Sequence, residues 1–558
     1  MLMAVGVHAA PKYIEFKPLD QVVKTPVANV GSGVKMLPVI TWGGDIATVF
    51  GNGGTRQTQA GSILARHQLK YAIAREDVFS NQVKHYLSGK TPFLRGTMGM
   101  LSSAVDLLNQ DPRTKPVVFY QLTWSSGGDA LVVKNTIKTA QDLRGKTIAL
   151  QAYGPHVDYL IRVLKDAGLK FSDVNVKWVP DLTGTDNSPS AAFYENNVDA
   201  AFTIIPDALA LTSGGNTGTG AEDSVRGAKI LMSTKTANRV IADVYAVRAD
   251  YYKANPGEIE RLTKALLEAE EKLATLVGDR TQQRNQYQKA MASAANFLLD
   301  SPEAIADTEG LYADCEFVHF NGNVKFFQDS HNPRNFERVS REISQGFANL
   351  GLISGKNSLE KANLDYKKLA GGLSNITKEA KQRFNSSEVS ALVTRKQQQG
   401  ALSEGELFSF EVFFSPNQNS FPIDLYQQDF ARVVELASTY GGAIITVEGH
   451  SDPMGYLRAK KKGQASVILG RIKQSAKNLS MSRAQAVQEA IVTYAGSQNI
   501  LLDPSQFEPI GHGITRPKTR VCGNDPCAPK NEEQWRSNMR VVFRIIQVEA
   551  ESDIFMPL

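Results

Sequence analysis

The sequence predicts an α/β fold spread over more than one domain, and three observations carry this. Strand and helix patterns alternate from residue 36 to about 205, as in sheets built from strand–helix–strand units. Past Pro256 the pattern changes to a long amphipathic helix, and from about 407 a second, shorter alternation begins. A chain of 558 residues exceeds what one hydrophobic core serves, so its length predicts two to four domains.

Residues 1–35 read as a signal-peptide remnant and an extended lead-in. Met1 to Pro11 is apolar and ends in small residues without a basic n-region, so Val7-His8-Ala9 or His8-Ala9-Ala10 is either a cleavage triplet or part of an ordinary terminus. Pro11, Pro18 and Pro26 follow without periodicity. Strands are predicted at Met36 to Trp42, Tyr71 to Ala74, Val117 to Leu122, Thr147 to Leu150, Val174 to Val179 and Ala200 to Ile205. Helical patterns separate them, among them Ser62 to Leu69, Asn81 to Leu87, Ser102 to Leu108, Val157 to Ala167 and Ala191 to Tyr194, and the sheets are expected to be mostly parallel. Ile259, Leu262, Leu266, Ala269, Leu273 and Leu276 recur at three- and four-residue steps and define one buried helix face. Residues 356–406, rich in Lys, Gln, Ser and Asn, read as a linker whose least structured piece is Lys396 to Gly400. Phe408 to Phe414 alternates as a strand, Tyr426, Phe430, Val433, Ala437 and Tyr440 mark an amphipathic helix, and Arg540 to Val548 is the last strand.

Composition narrows the function classes. The net charge of +5 is mild for this length and makes no case for nucleic acid. No run of about 18 apolar residues exists, so no membrane-spanning helix is expected. Cys522 and Cys527 flank the turn-forming Gly523-Asn524-Asp525-Pro526, which fits a loop disulfide in an oxidising compartment or two free thiols; Cys315 reads as a buried thiol. One cysteine pair without a second pair or a nearby histidine cannot fill a zinc shell, so no metal or cofactor is expected. Catalytic motifs fail in turn. The glycine that a phosphate-binding loop needs before Gly89-Lys90-Thr91 is Lys84, and before Gly145-Lys146-Thr147 it is Ala140. There is no His-x-x-x-His pair and no Gly-x-Ser-x-Gly elbow, so no enzyme is expected.

Four stretches of the region 36–355 carry a resemblance. They are Trp42-Gly43-Gly44-Asp45, Arg95 to Met100, Gln121 to Val133 (with Trp124-Ser125-Ser126-Gly127-Gly128-Asp129) and Ile137 to Leu150, matched by Asn196 to Ala201. In this order they resemble periplasmic solute-binding proteins that serve nitrate, sulfonate and thiamine-precursor importers. The resemblance implies a two-lobed (type II) clamshell that captures a small solute, anionic by expectation, for an ABC permease. Helix starts and glycines facing such a cleft offer N–H groups to an anion. The candidate solute contacts are Trp42, Gly43, Asp45, Thr97, Trp124, Ser125, Ser126, Tyr153 and Asp207, with both tryptophans as an aromatic wall or as interlobe core. Thiamine-pyrimidine synthesis on this fold needs cysteine-rich metal chemistry, which a lone Cys315 cannot supply.

Residues 407–558 carry the stronger pattern. Val447-Glu448-Gly449-His450-Ser451-Asp452 ends a strand, Leu479-Ser480-Met481-Ser482-Arg483-Ala484 reads as a helix opening with Ser480 as N-cap, and Gly511-His512-Gly513 and Asn538-Met539-Arg540 follow. This order resembles the peptidoglycan-binding signature of OmpA-like α+β domains. It implies that Asp452 takes the ammonium and Arg483 the carboxylate of diaminopimelate in a wall stem peptide, with Asn538 and Arg540 completing the site. The sequence departs from the family at Ala476, at Met539 and in the 30 residues between Asp452 and Arg483, a stretch with Arg458, Lys460, Lys461, Lys462, Arg471, Lys473 and Lys477 and no acid. That stretch is a solvated segment or a basic flap against a polyanion. The combined expectation is a periplasmic solute-binding protein of a Gram-negative bacterium, held noncovalently at peptidoglycan near the outer membrane. The alternative is a wall-anchored sensor or scaffold.

Overall fold

Continuous burial, rather than alternation, marks the strands at the centre of the first domain. In the computed structural model, which describes residues 11–546 apart from 222, 375, 377–385, 399–405, 417 and 419–422, every residue of Phe93–Thr97, Pro116–Ser125 and Asp129–Val133 is buried. Such strands need cover on both faces, and helices supply it. The proposed cleavage triplets at residues 7–10 lie outside the described residues. The chain divides into two compact units, Met1–Ile137 with Gln141–Glu379, and Ala380–Leu558 with Lys138–Ala140.

The first unit holds a two-stranded sheet and two five-stranded sheets. Strands β1 (Lys35–Val39) and β2 (Tyr71–Arg75) pair in parallel. β3 (Phe93–Thr97) and β4 (Pro116–Ser125) flank β10 (Ala242–Arg248) in a sheet of order β11-β4-β10-β3, with β11 at Cys315–Phe317 and β12 (Glu360–Lys361) also on β4. The second five-stranded sheet runs β7-β6-β8-β5-β9, from β5 (Asp129–Val133), β6 (Thr147–Gln151), β7 (Asn175–Val179), β8 (Ala200–Ile204) and β9 (Lys229–Ser233). β6 lies parallel to β7 and β8, but β5 is antiparallel to both its neighbours, and so is β10. The expectation of mostly parallel sheets is therefore corrected. β4 to β5 and β9 to β10 cross between the two five-stranded sheets instead of returning to one, and such strands are free to run against their neighbours.

The helix Pro256–Gly278 buries all six residues of its predicted face. The lead-in is less idle than its prolines suggest. Ile14 bridges to Trp178, Leu19 and Val23 are buried, and Phe16 packs edge-on against Tyr153 and Trp178.

The second unit is a mixed sheet of order β13-β18-β14-β15, namely β13 (Glu406–Phe413), β14 (Ile444–His450), β15 (Phe507–Gly513) and β18 (Arg540–Ile546). β14 and β15 are parallel, and a small hairpin of β16 (Val521–Cys522) and β17 (Asp525–Pro526) is closed by a Cys522–Cys527 disulfide. Cys315 is a buried free thiol. Inside the stretch read as a linker, β12 and the helix Tyr366–Ala370 belong to the first unit. The helix Ser386–Gln398 belongs to the second, where Ser390 donates to Glu508 (2.9 Å). The helix opening expected at Ser480 is absent. One helix runs from Ser466 to Ser497, and Ser480 sits inside it, its hydroxyl donating back to the Lys477 carbonyl at 2.7 Å. That bond from a side chain to the preceding turn satisfies a serine within a helix, so the residue is no evidence of a helix start.

Candidate functional site

In the first unit, the loop after β1 is packed rather than open. A Cβ at Gly43 would stand 1.9 Å from the Leu311 carbonyl oxygen, so its backbone is pressed against the chain itself. Trp42 donates from Nε1 to Thr123 (3.1 Å), and its ring lies on Gly128, where a Cβ would meet it at 2.4 Å. Asp45 is fully buried and held by Arg95 through Nε and Nη2, while Nη1 of the same guanidinium takes Asp243 at 2.8 Å. Asp45, expected among the solute contacts, is therefore corrected to part of a buried ion triad. Thr97 caps the helix Met98–Ser103 by accepting from Met100. Trp124 is buried edge-on to Phe326 with Arg239 over its ring, which makes it core. Tyr153, at φ +60°, donates to the Lys17 carbonyl and is covered by Phe16 of the lead-in. Asp207 accepts from Thr183 and Ser190.

What gathers at the crossover is acid. Ser125 donates to Asp129 (2.6 Å), and Asp129 meets Nε2 of the fully buried His156 at 2.7 Å. Ser126 donates its backbone N–H to the Asp314 carbonyl. Asp314 borders Gly127 and Gly128 beside Lys235. Asp158 packs against Gly99 in the first turn of the helix Met98–Ser103, where a Cβ would lie 2.7 Å from its carboxyl carbon. Its Oδ2 is buried without a hydrogen-bond partner, as is Nδ1 of His156. Burial pushes Asp158 up to about 8 and Asp314 up to about 7, with the Asp129 charge adding to both. Sequence reasoning passed over Arg95, Asp129, His156, Asp158 and Asp314. Asp129 and Arg95 stood inside the quoted motifs, but nothing in their spacing said that Arg95 would hold Asp45 and Asp243 or that Asp129 would meet His156.

In the second unit, two glycines let strand and helix approach. A Cβ at Gly449 would stand 1.8 Å from the Ser480 carbonyl oxygen, and the Gly513 N–H donates to the Ser480 hydroxyl at 2.8 Å. Three residues beyond each contact point stand Asp452 and Arg483, so the contact brings them to one end of the sheet. Asp452 is half-buried, accepts from the Met454 N–H (3.1 Å) and from Trp535, and keeps a buried Oδ1 with no partner. Its burial raises its affinity for a proton. Arg483 is 1% exposed over the Phe414 ring. Among the described residues it donates to three carbonyls, of Gln418 (2.7 Å), His450 (3.1 Å) and Ser415 (3.2 Å). Burial lowers it to about 10, and no ion pair joins it to Asp452. The helix that carries Arg483 starts at Ser466, so no helix N-terminus lies beside its guanidinium.

Asn538 is fully buried, accepting from the backbone of Lys518 (2.7 Å) and Thr519 and donating to Gln534, and so fixes a loop. Arg540 donates from Nε to Glu411 (3.2 Å) and has a buried Nη1 without a partner. A cavity of about 1210 Å³ opens beside Phe414 and Ser415, rimmed by Lys518, Arg520, Gln534 and Arg536. Glu448, His450 and His512, for which no metal was expected, lie buried with ligand atoms within 4.8 Å of one another. Arg544 already holds Glu448 (2.8 Å), and burial together with Arg540 pushes His450 down to about 2, a setting hostile to added positive charge. Glu448 and His450 share a strand face and were legible as such; His512 joins them only through the register of β15.

Comparison with known proteins finds a family model that matches part of the first unit. Residues 107–275 match the model of the NMT1/THI5 like family. The NMT1/THI5-like segment contains Trp124, Ser125, Ser126, Asp129, Tyr153, His156, Asp158 and Asp207, whereas Trp42, Thr97 and Asp314 lie outside it. A curated Escherichia coli (strain K12) protein bearing the provisional name aliphatic sulfonates-binding protein is 42% identical over 71 residues, which span 12% of this chain and 21% of that one. Among solved structures, the periplasmic aliphatic sulphonate binding protein of Escherichia coli is 18% identical, covering 62% of this chain and 98% of its own, with a TM-score of 0.39. The peptidoglycan-associated lipoprotein of Burkholderia pseudomallei is 18% identical, covering 24% of this chain and 88% of its own, with a TM-score of 0.17.

Proposed function

We propose that this chain is a periplasmic solute-binding protein anchored noncovalently to peptidoglycan. The observation that carries the anchor is the Asp452–Arg483 arrangement. A carboxylate with an unpartnered, buried oxygen stands near a guanidinium that spends three of its five N–H groups on carbonyls and none on an acid. A zwitterion such as the diaminopimelate centre of a wall stem peptide supplies what each lacks, an ammonium for Asp452 and a carboxylate for Arg483. Arg540 borders the same sheet end, and Asn538 shapes the loop beside it. Among the described residues no helix is long and apolar enough to cross a membrane, which fits attachment through the wall.

Asp452→Asn is expected to abolish co-sedimentation with purified peptidoglycan while leaving the protein folded, since Asn keeps the side-chain volume and an oxygen for the Met454 N–H. Undiminished sedimentation of a folded Asp452→Asn protein sinks the anchor.

The NMT1/THI5-like segment supports capture of a small solute in the first unit, for delivery to an ABC permease. Helix starts and glycines led the sequence reading to an anion. Asp129 and Asp314, gathered at the crossover between the two five-stranded sheets, favour a solute that carries a positive group, with Trp42 beside it. A thermal-shift screen of sulfonates against amines separates the two: stabilisation by sulfonates alone rejects the cationic solute.

A further inference from the structure

The stretch between Asp452 and Arg483 folds into an arm whose surface has no counterpart in the anchoring site. The helix Met454–Lys461 and the first half of the helix Ser466–Ser497 run to and from a turn at 462–465, where Gly463 sits at φ +69°. Tyr456 fixes the arm: it is 4% exposed, donates to Asp525 (2.7 Å) and lies under the Lys473 ammonium at 4.7 Å. From Ser466 to Ser480 the arm extends roughly 21 Å at 1.5 Å per residue.

Two properties coincide at its far end. All seven cations from Arg458 to Lys477 are exposed, no acid stands among them, and among the described residues only Lys460 has an ion pair, with Asp525. Beside Lys461 and Lys462, Val467 is 66% and Ile468 42% exposed. A solvated helix or a contact with a purely ionic polymer calls for the charges but leaves these two side chains in water. Lysines around protruding aliphatic groups are what the interface of an anionic bilayer accommodates, headgroup phosphates on the ammonium groups and acyl chains under the aliphatics.

We propose that the tip of this arm, Lys461, Lys462, Val467 and Ile468, is a docking surface for an anionic phospholipid membrane. This stands independently of the solute and wall readings. The full chain is floated with phosphatidylglycerol-containing vesicles and with pure phosphatidylcholine vesicles, at low and high salt. The expected result is flotation with the anionic vesicles only, weakened by salt, and reduced about tenfold or more both by Val467→Asp with Ile468→Asp and by Lys461→Glu with Lys462→Glu. All these sites are exposed, and an unchanged circular-dichroism spectrum and melting temperature report that the arm variants are folded. Three results overturn the proposal. The wild-type chain fails to float, it floats equally with both vesicles, or the aliphatic variant floats as well as the wild type, which leaves a simple polyanion site.

Discussion

Asp158 carries the clearest single-residue consequence. Its Oδ1 accepts only from the neighbouring Tyr159 N–H (3.1 Å), its Oδ2 from nothing, and burial raises it to about 8. Between about pH 4 and 8 the folded chain therefore keeps a proton that the unfolded chain has released. Stability from this group is present below about pH 4 and is lost as pH rises towards 8. Asp158→Asn removes that dependence, so urea melts should find the variant more stable than wild type at pH 8 and nearly equal at pH 4. Equal midpoints at both values would refute the buried neutral acid. Arg95 is the opposite case, a cation between two buried acids. Arg95→Met leaves Asp45 and Asp243 without their partner and should cost about 3–5 kcal/mol in denaturant unfolding, whereas an exposed arginine such as Arg458 should cost less than about 0.5.

At the scale of elements, the proposed anchoring site depends on how closely β14 meets the helix Ser466–Ser497. Gly449 is the residue that permits it, since any side chain there collides with the Ser480 carbonyl. Gly449→Ala should destabilise the second unit by at least about 1–3 kcal/mol in urea, and should weaken wall binding because Asp452 and Arg483 are carried apart. A wild-type denaturation midpoint in Gly449→Ala would show that the strand and helix have slack. The helix Ser386–Gln398 is a second dependence of this unit. It reaches Glu508 through Ser390 and His512 through Gln397, so a fragment that begins after it lacks cover for β15.

For the whole molecule, two compact units with different ligands should report separately. Calorimetry is expected to give two transitions. A diaminopimelate-containing wall peptide at a hundred times its Kd should stabilise only the transition of the second unit, by about 2.7 kcal/mol, and the solute only that of the first. A single transition raised by either ligand would reject independent units.

Much of the fold was legible because periodicity reports burial directly. The six-residue face of the helix Pro256–Gly278 and the strand Ile444 to Val447 follow from where apolar residues recur. Asp452 and Arg483 came instead from one motif resemblance, and their role stays a proposal. The sequence by itself determined the element types, the absence of a long apolar span and the chemistry available at each motif. Only the tertiary structure decided which polar groups were already spoken for. Asp45 went to Arg95, Tyr153 to the lead-in, Asn538 to a loop, and Ser480 to the middle of a helix rather than its start. The reason is physical. A motif names donors and acceptors, but a buried polar group takes whichever partner the packing brings within 3 Å, and that partner can lie a hundred residues away.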